Sequence, residues 1–418
     1  MTETAGASED GTGAPSATAG IDPVTLERFA ELLVGFAANV QPGQIVAISS
    51  EIGKEPLTRA LAACAYAHGA TYVDVAYSDP WVRRARIAHG SDAALATVPS
   101  WIGERLLALG DQRCARIALT GPTAPRLLED LDPARVGADR AQTLREAGKV
   151  LNDQTTNWTI GPCPTPGWAV QVHPDLPLDE ALAKLWEQIV HVCRLDEEDP
   201  VAAWRERMAT LRGVTQRLTE ARFDALRFEG PGTDLTVGLL PSSHWLSASF
   251  ATRDGIPHVP NLPSEEVFTT PDPTRVDGVV RATKPLQLAG ATIEGLSVRF
   301  AGGRAVEIQA DKGADVLRSM SAHDDGACRL GEVALVDGSG RIGPLDTVFY
   351  DTLLDENAAS HIALGQAFAF AVGDEDHERI NTSMVHIDFM IGGDDVDVTG
   401  LAADGTLTPV LRGGVWQV

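Results

Sequence analysis

The sequence predicts a mixed α/β and α+β chain: an N-terminal parallel α/β layer, then a mainly antiparallel-sheet half with few helices. Three observations carry this reading. Apolar runs and amphipathic segments alternate as strand, helix, strand through the first half. From about Leu226 the texture changes to short strands punctuated by Gly and Pro. At 418 residues, the chain also exceeds what one ordinary core organises. We therefore expect a disordered tail over 1–20, an α/β domain over 21–225 and a second domain over 226–418.

Taken in order, residues 1–20 are Ala, Gly, Ser and Thr with almost nothing to bury. Asp22-Pro23 opens an amphipathic helix through Leu33, with Leu26, Phe29, Leu32 and Leu33 on its apolar side. Pro42-Gly43 turns the chain into a buried strand, Gln44 to Ser50. A helix from Glu55 to His68 stops at Gly69 and leads into the strand Thr71 to Val75. A further helix around Trp101 to Leu109 precedes the strand Ala115 to Thr120. Residues 152–177, rich in Pro, Trp and Thr, read as irregular connection, and Leu178 to Cys193 as helix. In the second half, strands are expected at Ala225–Phe228, Leu235–Leu240, Ile293–Phe300 and Val306–Ala310. Asn357 to Phe370 is the clearest helix there, since Ala358, His361, Ile362, Gly365 and Phe368 recur at helical spacing. Asp355 or Asn357 is its candidate N-cap.

Composition excludes several function classes. A net charge of −24, from 34 basic and 58 acidic residues, disfavours nucleic acid and anionic membrane as partners. No uninterrupted apolar window reaches the ~18 residues of a membrane span. The tail lacks the basic start and apolar stretch of a signal peptide. The five cysteines are scattered and form no CxxC pair, so a disulfide framework is unsupported and a reducing cytoplasm fits. Neither GxGxxG nor GxxxxGK[ST] occurs, which disfavours nucleotide binding.

The chemistry concentrates at 350–392. His386 and Asp388 alternate along Met384 to Ile391, so as strand residues they share a face, and His361 lies five residues after Glu356. A single histidine on an apolar face is usually a satisfied core residue. Two of them, each with carboxylates in apolar surroundings, point to a cation, because carboxylates are rarely buried without a partner. Glu265-Glu266, in a Pro-bracketed segment, and Glu332, at the start of an apolar strand, extend the set. Oxygen donors with two imidazoles suit two divalent ions sharing a bridging carboxylate.

The blocks PSEEVFTTPD, RLGEVALVD, FYDTLLDENAASHIALG and MVHIDFMIG occur in one order, and with them the chain resembles the M29 family of metallo-aminopeptidases. Shorter matches at 42–44, 67–70, 167–169 and 230–235 extend the likeness over nearly everything after the tail. The resemblance implies an α/β domain followed by a catalytic domain, in a homodimer that partly encloses the site. It implies removal of N-terminal residues from peptides with a free amino end, using two divalent ions (zinc, cobalt, magnesium or manganese). Their ligands would be Glu266, Glu332, His361, His386 and Asp388, with Glu332 bridging and Glu356 a further ligand or the general base. Glu332 or Glu356 would move the proton. Two departures stand out. Phe368 replaces a family tyrosine assigned to oxyanion stabilisation, and the segment between His361 and His386 is short for the family. A family member that binds metal with lost or altered peptidase activity is the alternative that Phe368 raises.

Overall fold

The computed structural model describes residues 20–139, 145–288 and 290–418. The expected tail, apart from Gly20, lies outside them.

Helix α1 (Pro23–Glu31) is capped by the Asp22 carboxylate, which accepts from the Thr25 N–H at 3.0 Å, and runs into a π-helix at Leu32–Ala37. Strand β1 (Ile45–Glu51), helix α2 (Glu55–Ala67) and strand β2 (Tyr72–Ser78) follow. Helix α3 (Ser100–Asp111) then leads to β3 (Ala115–Thr120). The expected irregular stretch 152–177 instead holds a fourth strand, β4 (Trp158–Pro162), and a short helix at Pro166–Val172. The four strands form one parallel sheet in the order β2-β1-β3-β4. Helices α4 (Leu178–Val192) and α5 (Pro200–Ala221) close this half.

The chain then turns antiparallel. An eight-stranded sheet includes β5 (Ala225–Gly230) and β6 (Thr233–Leu239). The edge strand β7 (Leu246–Ser247) and β8 (Glu266–Thr269) belong to a separate five-stranded sheet. β9 (Pro271–Arg281), β10 (Ser297–Ala301) and β11 (Arg304–Gln309) return to the large sheet. The expected strand Ile293–Phe300 is broken, with Ala291–Ile293 pairing elsewhere in a small hairpin. β12 (Leu330–Val336) is buried at every position.

Here the structure corrects the sequence reading. Helix α6 is short (Thr352–Glu356), its N-cap position is Asp351, and Asn357 sits at its C-terminal end. His361 lies on a strand, β13 (His361–Gly365), rather than in a helix over 357–370. Gly365 has φ 107°, and a Cβ there would come 2.0 Å from the Val385 carbonyl, so the close approach of the next strand requires glycine. That strand is β14 (His386–Met390). The five-stranded order is β14-β13-β12-β8-β7.

Two large cores result, and the first crosses the chain. Leu262, Ile342, Phe349 and Leu354 pack with the parallel-sheet residues Val46, Ile48 and Ile117. The Ile160 N–H donates to the Pro260 carbonyl at 2.7 Å and the Leu262 N–H to the Ile160 carbonyl at 2.9 Å, so the segment before Glu265 runs along the edge of β4.

Candidate metal centre

Register assembles the site. Glu332 lies opposite Ala363, which lies opposite Asp388; Ala334 lies opposite Phe268 and His361. Directly opposed residues share a face, so Glu266, Glu332, His361, His386 and Asp388 all project from one side of the five-stranded sheet. The small Ala334 and Ala363 between them leave room for longer side chains. Glu356 joins from α6. All six residues proposed from the sequence line one cavity.

The contacts are short. His361 Nε2 is 3.0 Å from Glu266 Oε2, and His386 Nε2 is 3.1 Å from Glu332 Oε2 and 3.3 Å from Asp388 Oδ1. Potential donors within 4.8 Å of one another form three sets: Glu266, Glu332 and His361; Glu332, His386 and Asp388; Glu356, His361 and Asp388. The first two share Glu332. Each imidazole donates its Nδ1–H to a backbone carbonyl, His361 to Ala359 at 3.2 Å and His386 to Gln366 at 2.8 Å. That fixes both rings with Nε2 aimed into the cluster, the arrangement metal-binding histidines adopt.

The electrostatics show what is missing. Among the described residues, no lysine or arginine pairs with Glu266, Glu332, Glu356 or Asp388. Burial, then the charges of Asp388 and Glu266, push the Glu356 carboxyl well above its usual range. Burial also raises Glu332, although the His386 hydrogen bond opposes it. Burial alone would lower His361, yet its hydrogen bond to Glu266 and the surrounding carboxylates lift it to about 10. His386 is driven well above normal against the effect of burial, chiefly by Asp388. For Asp388, burial acts to raise the carboxyl, but the charge and hydrogen bond of His386 together with the charge of His361 hold it down. Both imidazoles thus take up protons to supply positive charge that the carboxylates demand. Asp388 Oδ1 is buried without a hydrogen-bond partner among the described groups. The residues fit divalent cations: hard oxygen donors, two oriented imidazoles and excess negative charge.

Sequence reasoning missed the support around this cluster. Asn357, expected as an N-cap, instead accepts the Glu265 N–H on Oδ1 at 2.6 Å and donates to the Leu353 carbonyl, tying α6 to the start of β8. Glu265 points away from the site and pairs with Arg194 at 2.9 Å and with Arg207. Arg207 also holds Asp337 at 2.9 Å. Asp351, buried, accepts the Gly121 N–H at 3.0 Å and so anchors this half to the end of β3. Only the extreme burial of carboxylates in an acidic, apolar block could have signalled these roles.

The cavity encloses about 1240 Å³. Its walls come from both halves: Arg116, Thr120 and Trp158 on the parallel-sheet side, the six site residues on the other. Phe368 faces it, its ring 5.1 Å from that of His386, 5.6 Å from Phe268 and stacked 5.2 Å from Phe370. The position that departs from the family pattern is therefore beside the cluster, although no helix carries it there.

The chain has relatives among known proteins over nearly its whole length. The chain is 45% identical to aminopeptidase T of Thermus aquaticus over 402 residues, covering 94% of this chain and 98% of that one. It is 36% identical to aminopeptidase 2 of Geobacillus stearothermophilus, with 94% and 97% covered. The solved structure of wild-type AmpT from Thermus thermophilus superposes with a TM-score of 0.85 at 42% identity, covering 94% of this chain and 99% of that one. The family described as thermophilic metalloprotease (M29) matches residues 23–416, and the chain belongs to it.

Proposed function

We propose that this protein is a dinuclear metal-dependent aminopeptidase that removes N-terminal residues from peptides. The observation that carries the reading is the pair of three-donor sets sharing Glu332, with both Nε2 atoms aimed inward. In this reading, Glu266, Glu332, His361, His386 and Asp388 would hold two divalent cations (zinc, cobalt, magnesium or manganese), Glu332 belonging to both donor sets. Cations held there polarise a peptide carbonyl and bring the pKa of a water toward neutrality. Glu356 has no side-chain partner among the described residues, which leaves its carboxylate free to take a proton from the attacking water and return it to the leaving amine. Glu332 is the second candidate for that transfer. An acidic side chain of the cluster pairs with the substrate's α-ammonium group, which selects free N-termini. Phe368 and Phe268 keep water from that side of the site.

Supporting this reading, the relatives named above are all aminopeptidases. They do not favour a metal-binding member that has lost peptidase activity. We further propose domains at 21–225 and 226–418, the second catalytic, and a cytoplasmic homodimer. Among the described residues no helix is long and apolar enough to cross a membrane.

The test is release of free amino acid from aminoacyl-p-nitroanilides and dipeptides by chelator-stripped protein, with zinc, cobalt or manganese added back. Metal-dependent release, abolished in Glu332→Gln and absent for N-acetylated peptides, is expected. Tight metal uptake with no release would overturn the reading. Sedimentation or light scattering tests the dimer.

A further inference from the structure

A second cluster of donors lies in the N-terminal half and lines no part of the large cavity. Glu31 ends α1. Cys64 is in α2 and His68 immediately follows that helix, so the two stand at i and i+4 on one face. Cys64 Sγ is 3.2 Å from Glu31 Oε2, and His68 Nε2 is 2.9 and 3.0 Å from the two Glu31 oxygens. All three donor atoms fall within 4.8 Å of one another, at a half-exposed position.

A second observation concerns the space around them. Gly35, one turn beyond Glu31 in the π-helix, faces the same point. A Cβ there would lie 2.5 Å from Glu31 Oε1 and 2.9 Å from His68 Cε1. Any other residue would push into the cradle that the three donors form. The cation-free contacts explain the resting state. Burial, with Glu31 adding to it, pushes the Cys64 thiol up to about 12, so the sulfur is protonated and donates to the carboxylate.

We propose that Glu31, Cys64 and His68 form an accessory zinc site joining α1 to α2, separate from the six-residue centre. Thiolate, imidazole and carboxylate are the donor types zinc takes, and three protein ligands leave a fourth position for water. On binding, the S–H bond breaks, the proton leaves to solvent and a metal–sulfur bond forms, with no change in redox state. Glu31 already contacts both other donors, so the three are assembled before an ion arrives. Preparations loaded with excess zinc then carry one ion more than the catalytic centre holds.

The six-residue centre has only oxygen and nitrogen donors, so sulfur spectroscopy separates the two sites. Chelator-stripped full-length protein is titrated with cobalt(II), and the near-ultraviolet thiolate-to-cobalt charge-transfer band is recorded. The band is expected in the wild type and equally in Glu332→Gln, lost in Cys64→Ser, and formed with at least tenfold weaker affinity in His68→Asn. Zinc should bleach it and slow alkylation of Cys64, read by mass spectrometry on unmutated protein. Absence of the band at saturating cobalt, its persistence in Cys64→Ser, or alkylation unaffected by zinc would each overturn the proposal.

Discussion

Glu265 and Glu266 are joined by one peptide bond and are both buried, yet they belong to opposite kinds of charge cluster. Behind β8, Glu265 and Asp337 meet Arg194 and Arg207, and Ser339 donates to Asp337, so two anions face two cations. In front of it, Glu266, Glu332, Glu356 and Asp388 meet, among the described residues, only two histidines. The closed cluster has no use for an ion and holds the fold. The open one is short of positive charge and is therefore the one proposed to take up cations. Burial alone does not distinguish them; the balance of permanent charge does.

That contrast can be broken at several points. The largest effect is expected in the open cluster. Glu332→Gln or Glu266→Gln should lower kcat by about 10³-fold or more, the upper range for losing a positioned acid–base group. Denaturant unfolding of stripped Glu332→Gln should show no loss of stability, because burial and the neighbouring carboxylates disfavour the Glu332 charge more than His386 favours it. A clear destabilisation would put that residue in the structural class.

Glu265→Gln, one position away, should do the reverse. It leaves two buried guanidinium groups short of a partner, a change that costs about 3–5 kcal/mol when a buried pair is broken. Urea midpoints should fall well before activity per folded molecule does. Equal losses from the two neighbours would collapse the distinction.

Phe368→Tyr sharpens the open side by returning a hydroxyl beside His386. Loss of one such donor costs about 10²- to 10³-fold, and the tyrosine variant should gain about 10- to 100-fold in kcat with KM little changed. An unchanged kcat would show that this protein stabilises its oxyanion elsewhere.

The smallest effect is in pH. His361 titrates near 6.5 when unfolded and at about 10 in the folded, ion-free protein, so its stabilisation is complete below 6.5 and lost as pH rises toward 10. Stripped protein should therefore unfold more easily at pH 9 than at pH 6.5, by about 1 kcal/mol or more. Saturating zinc should remove that slope, since the ion takes over from the protons.

Much of the open cluster was legible in the sequence, whereas the closed one was not. The alternation of His386 and Asp388 and the carboxylates inside apolar blocks mark residues that need a partner. All six do line one cavity. The helix expected over 357–370 failed because its apolar spacing also suits a strand, and the pairing of β13 with β12 on one side and β14 on the other decides the matter. β4 was missed because its end, Pro162-Cys163-Pro164, looks like loop, although Thr165-Pro166 still marks the start of the next helix. Arg194 and Arg207 lie about 60 to 70 residues from Glu265, too far for any local pattern to connect them.

The shared cavity wall has a consequence for how the protein melts and is digested. A ligand touching Arg116 or Trp158 on one side and the cluster on the other binds only when the two halves are apposed. Its binding free energy then holds them together as one cooperative unit, worth about 2.7 kcal/mol at a hundred times its dissociation constant. A ligand reaching one wall alone protects that wall. Limited proteolysis in the presence of short and long peptide analogues would therefore separate compounds that span the chamber from those that merely occupy it.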